Sequence, residues 1–206
     1  ALFGLHPLIV EDILNTDQRS KMEDFNDYIY VVLKNFYNHV DEDVHAEQVS
    51  VILGRNYVLS FMEKKSEVFD TIRDKLRANK GKMCKAGADY LAHHIIDNIV
   101  DQYFMMLEDI EEKIESLEDD LIKQTTPAKL QAIHNLKRKL IFMRKSLWPL
   151  RETISSLQRS DSPLIDEPNA IILKIFLTIL SPLLTQWILF GICSPACSIF
   201  ICRPPA

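Results

Sequence analysis

The chain has 206 residues, of which 47% are hydrophobic and 26% charged, a balance typical of a folded globular protein and unlike that of a disordered chain. The first 170 residues hold 22 of the 24 Lys and Arg and all 29 Asp and Glu, so this part has a net negative charge. An acidic surface argues against a nucleic-acid partner, which requires a basic face, and suits cations or plain solubility.

The first half of the chain predicts short helices and strands. His6-Pro7 followed by an apolar run predicts a helix over 8–14, with proline in its first turn. Polar residues at 38–45 predict a turn, and Gly54-Arg55-Asn56 predicts a hairpin between two strands. β-Branched and aromatic runs predict strands, and an apolar i, i+4 pattern predicts a further helix: Tyr28–Leu33, Glu47–Leu53, Tyr57–Phe61 and the helix Val68–Arg77.

Two long helices follow. Residues 88–123 contain no Pro or Gly, and Thr125-Thr126-Pro127 then marks the start of a second helix. Because the break is short, the two helices should form an antiparallel hairpin. Their apolar residues step by three and four, as in a coiled-coil seam: Leu107, Ile110, Ile114, Leu117 and Leu121, then Leu136, Leu140, Met143, Leu147, Leu150, Ile154 and Leu157.

The charges of this hairpin are segregated. Residues 108–120 hold eight acidic side chains and one lysine, whereas 129–151 hold seven basic side chains and no acid. Pairing between the two helices explains part of this pattern, although each exposed pair contributes only about 0.2–1 kcal/mol. The acidic tip (Glu115, Glu118, Asp119 and Asp120) is either a solvated face, the interpretation we favour, or a diffuse field for cations.

The cysteines and the C-terminal residues differ from the rest. Cys84 stands alone in the first 170 residues, as in a reducing compartment, whereas Cys193, Cys197 and Cys202 lack the spacing of a zinc site. The N-terminus lacks the pattern of a signal peptide. Residues 175–202 contain no ionisable side chain other than cysteine, which makes them a transmembrane candidate by composition.

Five stretches of the sequence closely resemble the CorA family of divalent-cation channels: HPLIVEDILNTDQRSK (6–21), DYIYVVLK (27–34), EQVSVILGRNYVLSFMEK (47–64), GADYLAHHIIDNIVDQYF (87–104) and WPLRETISSL (148–157). No single motif is chemically unique, but the ordered series is highly specific. It runs almost without a gap from residue 2 to about residue 168.

This resemblance implies a fold and an assembly. The fold is α+β, a small mixed or antiparallel sheet flanked by helices, with a long antiparallel helical hairpin. We expect residues 1–83 to form the α/β part, 84–168 the hairpin, and 169–206 an aberrant apolar tail in place of the family's stalk and membrane helices. The resemblance also implies a homopentamer in the full-length protein, with self-association weak or absent in this chain.

The resemblance further implies a metal-sensing role on the cytoplasmic face of the cell membrane, with no enzymatic activity. In the family, Mg²⁺ between neighbouring cytoplasmic domains holds the pore shut. The corresponding carboxylates are Asp12 and Glu11 on the first helix and Asp97 in IIDNIV. Mg²⁺ prefers hard oxygen ligands and keeps several waters, so a few carboxylates suffice; Co²⁺ and Ni²⁺ are alternatives. The plain alternative is helix capping by Glu11 and a polar outer face at Asp97.

Three departures from the family stand out. The family's opening strands are missing before Leu2, and the Gly-Met-Asn pore loop does not occur. We therefore expect contact with a membrane only through spans that this chain lacks. From about residue 171 the sequence is best explained by translation in a shifted frame, because suitable codons for Ile171–Pro204 can spell a family-like stalk helix. Sequencing the source gene tests that hypothesis.

Three rival interpretations remain. The zinc-transporting branch of the same superfamily shares the architecture, and its discriminating pore region is not present here. A metal-dependent enzyme could use His93, His94 or His134, but adjacent residues on a helix face about 100° apart and suit a shared ion poorly. A helical scaffold without metal binding is the third. Titration with Mg²⁺ separates sensor from scaffold.

Overall fold

The computed structural model describes residues 3–38, 44–64, 69–78, 83, 86–123 and 126–166. They form an α+β fold, which confirms the predicted class. Its helices and strands in chain order are α1 (Pro7–Leu14), β1 (Lys21–Asp24), β2 (Tyr28–Asn38), β3 (Val44–Gly54), β4 (Val58–Met62), α2 (Asp70–Arg77), α3 (Ala88–Lys123) and α4 (Pro127–Gln158).

The described strands form one antiparallel sheet in the order β1-β2-β3-β4. The sequence predicted only three of them and missed β1. The predicted turn at 38–45 was also too long, because β2 extends to Asn38 and β3 begins at Val44. The hairpin between β3 and β4 is confirmed, with Gly54 N–H donating to the Tyr57 carbonyl. Tyr57 packs closely over Gly54, since an added Cβ there would lie 2.3 Å from the Tyr57 ring and would require the ring to move.

The two faces of the sheet pack against different helices. Ile29, Val31 and Leu33 of β2 point towards a large core shared with α3 and α4. Tyr28, Tyr30 and Val32 alternate with them and point to the opposite face. There they enclose Ile9 of α1 in a second, smaller cluster. The sheet therefore separates α1 from the long helical hairpin.

The two long helices run antiparallel, as predicted. At one end Lys129 Nζ donates to the carbonyl of Asp120, and at the other the N–H of Asp166, beyond α4, donates to Asp89 near the start of α3. Most of the predicted seam is buried, including Ile110, Met143 and Leu150. The hydroxyl of Thr126 accepts from the Lys129 N–H and caps α4.

Helix α3 is fixed to the sheet by Tyr103. This side chain is fully buried, its hydroxyl donates to the Lys34 carbonyl of β2, and its ring meets Phe36 edge to face with centroids 4.7 Å apart. Within the described ranges, no helix is both long and apolar enough to cross a bilayer.

Candidate metal centre

The backbone of α1 is held on the sheet by Gln48 of β3, whose side chain is buried. Gln48 Nε2 donates to the Asp12 carbonyl at 2.9 Å, and its Oε1 accepts from the Gln18 N–H at 3.1 Å. One amide thus ties the end of α1 and the segment after it to the sheet. Because a buried amide must be satisfied on both sides, this arrangement fixes the position of Asp12.

The Asp12 carboxylate is partly exposed to solvent and also contacts β1. Lys21 Nζ lies 2.6 Å from Asp12 Oδ2 and 2.6 Å from Glu23 Oε1, so one ammonium joins two carboxylates. The ammonium also lies 5.8 Å from the centre of the Tyr30 ring. Burial lowers the pKa of Lys21, but hydrogen bonds to Asp12 and Glu23 outweigh burial and raise it overall.

The donor set around Lys21 suits a hard divalent cation. Two carboxylates from different elements already converge on one cationic atom, and they remain partly open to solvent, with side chains 23% exposed for Asp12 and 40% for Glu23. Mg²⁺ takes oxygen ligands and completes its shell with water, so two carboxylates at a wet surface fit its chemistry.

Glu11, the second predicted residue, lies exposed on the same helix. Its surroundings are unusual for a surface helix, because three large aliphatic side chains of α1 are also exposed: Leu8 by 61%, Val10 by 45% and Leu14 by 78%. Only Ile9 of this helix is buried. Exposed apolar residues grouped on one short helix are typical of a contact surface.

Asp97, the third predicted residue, lies on α3. Its Oδ2 is 3.9 Å from His94 Nδ1, too far for a hydrogen bond. Burial raises the pKa of Asp97 while His94 opposes the shift, and burial together with Asp97 raises the pKa of Asp101 on the next turn. A carboxylate whose charged form is disfavoured by burial gains from a nearby cation.

Asp12 and Glu11 are adjacent on α1 and face about 100° apart around its axis. Asp97 lies apart from both, since α1 and α3 pack on opposite faces of the sheet. Across the described ranges, no three His, Cys, Asp or Glu side chains are grouped closely enough to hold a metal ion. A complete shell around any of these carboxylates therefore needs water or groups from elsewhere.

The adjacent histidines and the acidic tip, the other features singled out in the sequence, have structural surroundings. His93 is buried, and burial, followed by the neighbouring His94, lowers its pKa. The two rings lie 6.2 Å apart at 86°, in line with the prediction that they face different directions. At the acidic tip, Lys129 Nζ lies 3.9 Å from Asp120 Oδ2, an interhelical pair of the predicted kind.

Sequence reasoning missed Lys21, Glu23 and Gln48. The signal for the first two was the i, i+2 spacing that places them on one face of a strand, but this signal has meaning only once β1 is recognised. Gln48 carries no local signal, because its role depends on contacts with residues 30 and 36 positions away.

The α+β fold, with a four-stranded antiparallel sheet and a long helical hairpin, is shared with solved soluble domains of CorA-type and ZntB proteins. Comparison with known proteins makes the assignment: the model of the family "CorA-like Mg²⁺ transporter protein" matches residues 1–185. The chain belongs to this family, which consists of ion transporters and not of enzymes.

Two sequence relatives and one solved structure illustrate this similarity. The cobalt/magnesium transport protein CorA of Thermotoga maritima is 46% identical over 166 residues, which cover 80% of this chain and 47% of the relative. The soluble domain of CorA from Methanocaldococcus jannaschii superposes with a TM-score of 0.77 at 19% identity, covering 88% of this chain and 74% of that structure. The zinc transport protein ZntB of Yersinia pseudotuberculosis is 26% identical over 168 residues, 80% of this chain and 50% of that protein.

The chain thus spans about half the length of the first curated relatives that it matches. Residues 167–206, with the predicted apolar tail, lie outside the described residues. The shifted-frame hypothesis stays a prediction, as do the domain boundaries at 83 and 168.

Proposed function

We propose that this chain is the cytoplasmic metal-sensing and gating domain of a CorA-type Mg²⁺/Co²⁺ channel. Mg²⁺ bound at subunit interfaces favours the closed state of the pore, and loss of Mg²⁺ lets the subunits move. The observation that carries the proposal is the 46% identity with a cobalt/magnesium transport protein over 80% of this chain. In this proposal the pore lies in the part of the relatives' length that this chain does not cover.

The placement of the predicted carboxylates supports an interface site. Asp12 and Glu11 lie on α1, and Asp97 lies on α3 across the sheet, so they cannot close one shell within a chain. Both elements carry carboxylates that are at least partly accessible. If α1 of one chain contacted a neighbouring chain, both chains could supply carboxylate oxygens to one Mg²⁺ ion. Water would complete the coordination shell, and the weak binding that results suits a sensor of millimolar Mg²⁺.

The exposed aliphatic side chains of α1 support self-association through the same helix. Val10 and Leu14 lie about 40° apart around the helix axis. Burying them against a neighbouring subunit would stabilise the assembly by about 25 cal/mol for each Å² of apolar surface removed from water. In the full-length protein we propose a homopentamer at the cytoplasmic face of the cell membrane. Without the spans, we propose weak association or none.

Isothermal titration and Mg²⁺-inhibition assays test the sensor role. Asp12→Ala should weaken Mg²⁺ binding to the chain, and in a full-length transporter carrying this domain it should leave the pore open at high internal Mg²⁺. Glu11 and water cover part of the loss, so a shift of about threefold in the inhibitory concentration is the minimum expected. Asp17→Ala, which removes an exposed carboxylate just after α1, is the control. Unchanged inhibition in Asp12→Ala would contradict the proposal.

The zinc-transporting branch is the second candidate, favoured by the match to ZntB. His94 near Asp97 adds to it, since an imidazole nitrogen is a better ligand for Zn²⁺ than for Mg²⁺. Flux measurements with Zn²⁺, Mg²⁺ and Co²⁺ separate the two branches. We favour Mg²⁺/Co²⁺ because the Thermotoga protein is far more similar.

A further inference from the structure

We propose that Lys21 is a built-in competitor of the divalent cation at Asp12, and that Glu23 is a second carboxylate of the same site. This inference rests on the proposed sensor function and deepens it. In the absence of Mg²⁺ the ammonium pairs with both carboxylates and offsets half of their negative charge, and a divalent cation binds by displacing it. Lys21 thereby sets the concentration at which the site responds.

The geometry places one cation between two anions. Lys21 Nζ lies 2.6 Å from an oxygen of Asp12 on α1 and 2.6 Å from an oxygen of Glu23 on its own strand. Because a single atom contacts both, the two carboxylate oxygens lie at most about 5 Å apart by this geometry, within reach of one hydrated metal ion after small side-chain rotations. The ammonium marks the position of a cation site.

A divalent cation and the ammonium exclude each other there. Both need the same lone pairs of Asp12 Oδ2. If both contacted this oxygen at once, their positive charges would lie close together and repel each other. The Lys21 backbone is held by pairing with Val32, but its side chain can swing outwards, because it is 31% exposed. Displacement therefore requires a rotamer change and not the unfolding of β1.

The competitor is always charged under physiological conditions. A lysine ammonium is protonated at neutral pH because its ordinary pKa is about 10.4. The Tyr30 ring adds a favourable surface at 5.8 Å. A permanent ammonium lowers the apparent affinity of the carboxylates for Mg²⁺ by the free energy of the ion pairs that must be broken. The free energy of ion pairs at partly exposed positions is small, so the ammonium weakens Mg²⁺ binding without preventing it.

A purely structural role for Lys21 makes the opposite prediction. If the ion pair serves only to dock α1 on the sheet, then removing the ammonium loosens α1 and weakens Mg²⁺ binding. If Lys21 competes with the metal, removing it strengthens binding, because two carboxylates are left facing each other without a cation. The sign of the change decides between the roles.

The experiment is isothermal titration of the 206-residue chain with MgCl₂ at constant ionic strength. Lys21→Met keeps most of the side-chain volume and should bind Mg²⁺ on the order of tenfold more tightly than the wild type. Lys64→Met is the matched control, since Lys64 also lies over a tyrosine ring, that of Tyr37 at 5.6 Å, and carries the same charge. Its affinity should stay within about twofold of wild type.

A second variant and a second readout identify the ligands. In the Lys21→Met background, Glu23→Gln should reverse most of the gain in affinity. Mg²⁺ should also raise the thermal midpoint of Lys21→Met more than that of wild type, and circular dichroism checks that each variant is folded. Equal or weaker Mg²⁺ binding by a folded Lys21→Met, including no binding in either protein, overturns the inference.

The proposed function and this inference fail in different ways. If Asp12→Ala leaves Mg²⁺ binding and inhibition unchanged, the sensor assignment itself is wrong. If Asp12→Ala loses binding while Lys21→Met shows no gain, the sensor assignment stands and Lys21 is only a docking residue. A gain in Lys21→Met that Glu23→Gln leaves intact removes Glu23 from the site and contradicts that half of the inference.

Discussion

The two faces of the sheet carry cores of very different size. On one face, residues of all four strands pack with α3 and α4 into a large continuous cluster. On the other, Ile9 is the single fully buried side chain that α1 contributes to a cluster otherwise made by the sheet. Ile13 of α1 packs against this cluster while only partly buried. Polar contacts add to it, among them the Gln48 amide and a hydrogen bond from the His6 N–H to the Tyr28 hydroxyl. The hairpin face is therefore the stable frame, and α1 is held on the sheet by few buried apolar contacts.

This difference suits the proposed roles. An element that responds to a weakly bound cation must move at low free-energy cost, and segments with few buried apolar contacts open at low cost. Helix α1 has one deep contact and carries Asp12 and Glu11. The frame carries Asp97 on a helix that Tyr103 fixes to β2. A cation shared between chains would thus connect α1 of one subunit, which has few buried contacts, to the rigid frame of another.

Two isoleucines provide a matched comparison, because Ile99 in the large core and Ile9 on α1 are both fully buried. Ile99→Ala should have the largest effect, lowering the global free energy of unfolding by about 3–5 kcal/mol because its surroundings on α3 cannot collapse into the cavity. Urea denaturation measures it. A loss below about 1 kcal/mol would contradict the assignment of this face as the frame.

Ile9→Ala should lower the global free energy of unfolding by less, about 2 kcal/mol or below, because α1 can detach before the rest unfolds. Amide hydrogen exchange should accelerate strongly in residues 7–14 and little in α3 or α4. If instead protection falls equally in α1 and α3, the two faces unfold as one unit, and the comparison between α1 and the frame is wrong.

The sequence predicted the frame better than the face that carries α1. The long helices follow from a three-four apolar step kept over many turns, a pattern that few alternatives satisfy. Strand β1 was missed because Lys-Met-Glu-Asp has neither β-branched residues nor clean alternation, and pairing with β2 determines its conformation. Asp12, Glu11 and Asp97 came from the resemblance, whereas the link from Asp12 to Lys21 and Glu23 is a tertiary contact that no local pattern contains.

The smallest expected effect concerns the pH dependence of the frame and comes from His93. This side chain is buried beside a cavity of about 20 Å³ lined also by Leu53 and Asp89, with room for one water molecule. Burial, then the neighbouring His94, lowers its pKa, while Asp89 opposes the shift. The folded state thus favours neutral imidazole, and the unfolded chain takes up the proton first on acidification.

The sign follows from proton uptake. The stabilising contribution of His93 is complete above the unfolded pKa of about 6.5 and is lost as the pH falls from there towards the lowered folded value. Between pH 7 and pH 5.5 we expect His93→Gln to lose about 1 kcal/mol less unfolding free energy than wild type, measured by urea denaturation at each pH. His134→Gln, on the exposed surface of α4, should keep the wild-type slope. An identical slope in His93→Gln and wild type would mean that the frame admits the charged imidazole without cost, and that the rigid face is softer around His93 than its burial indicates.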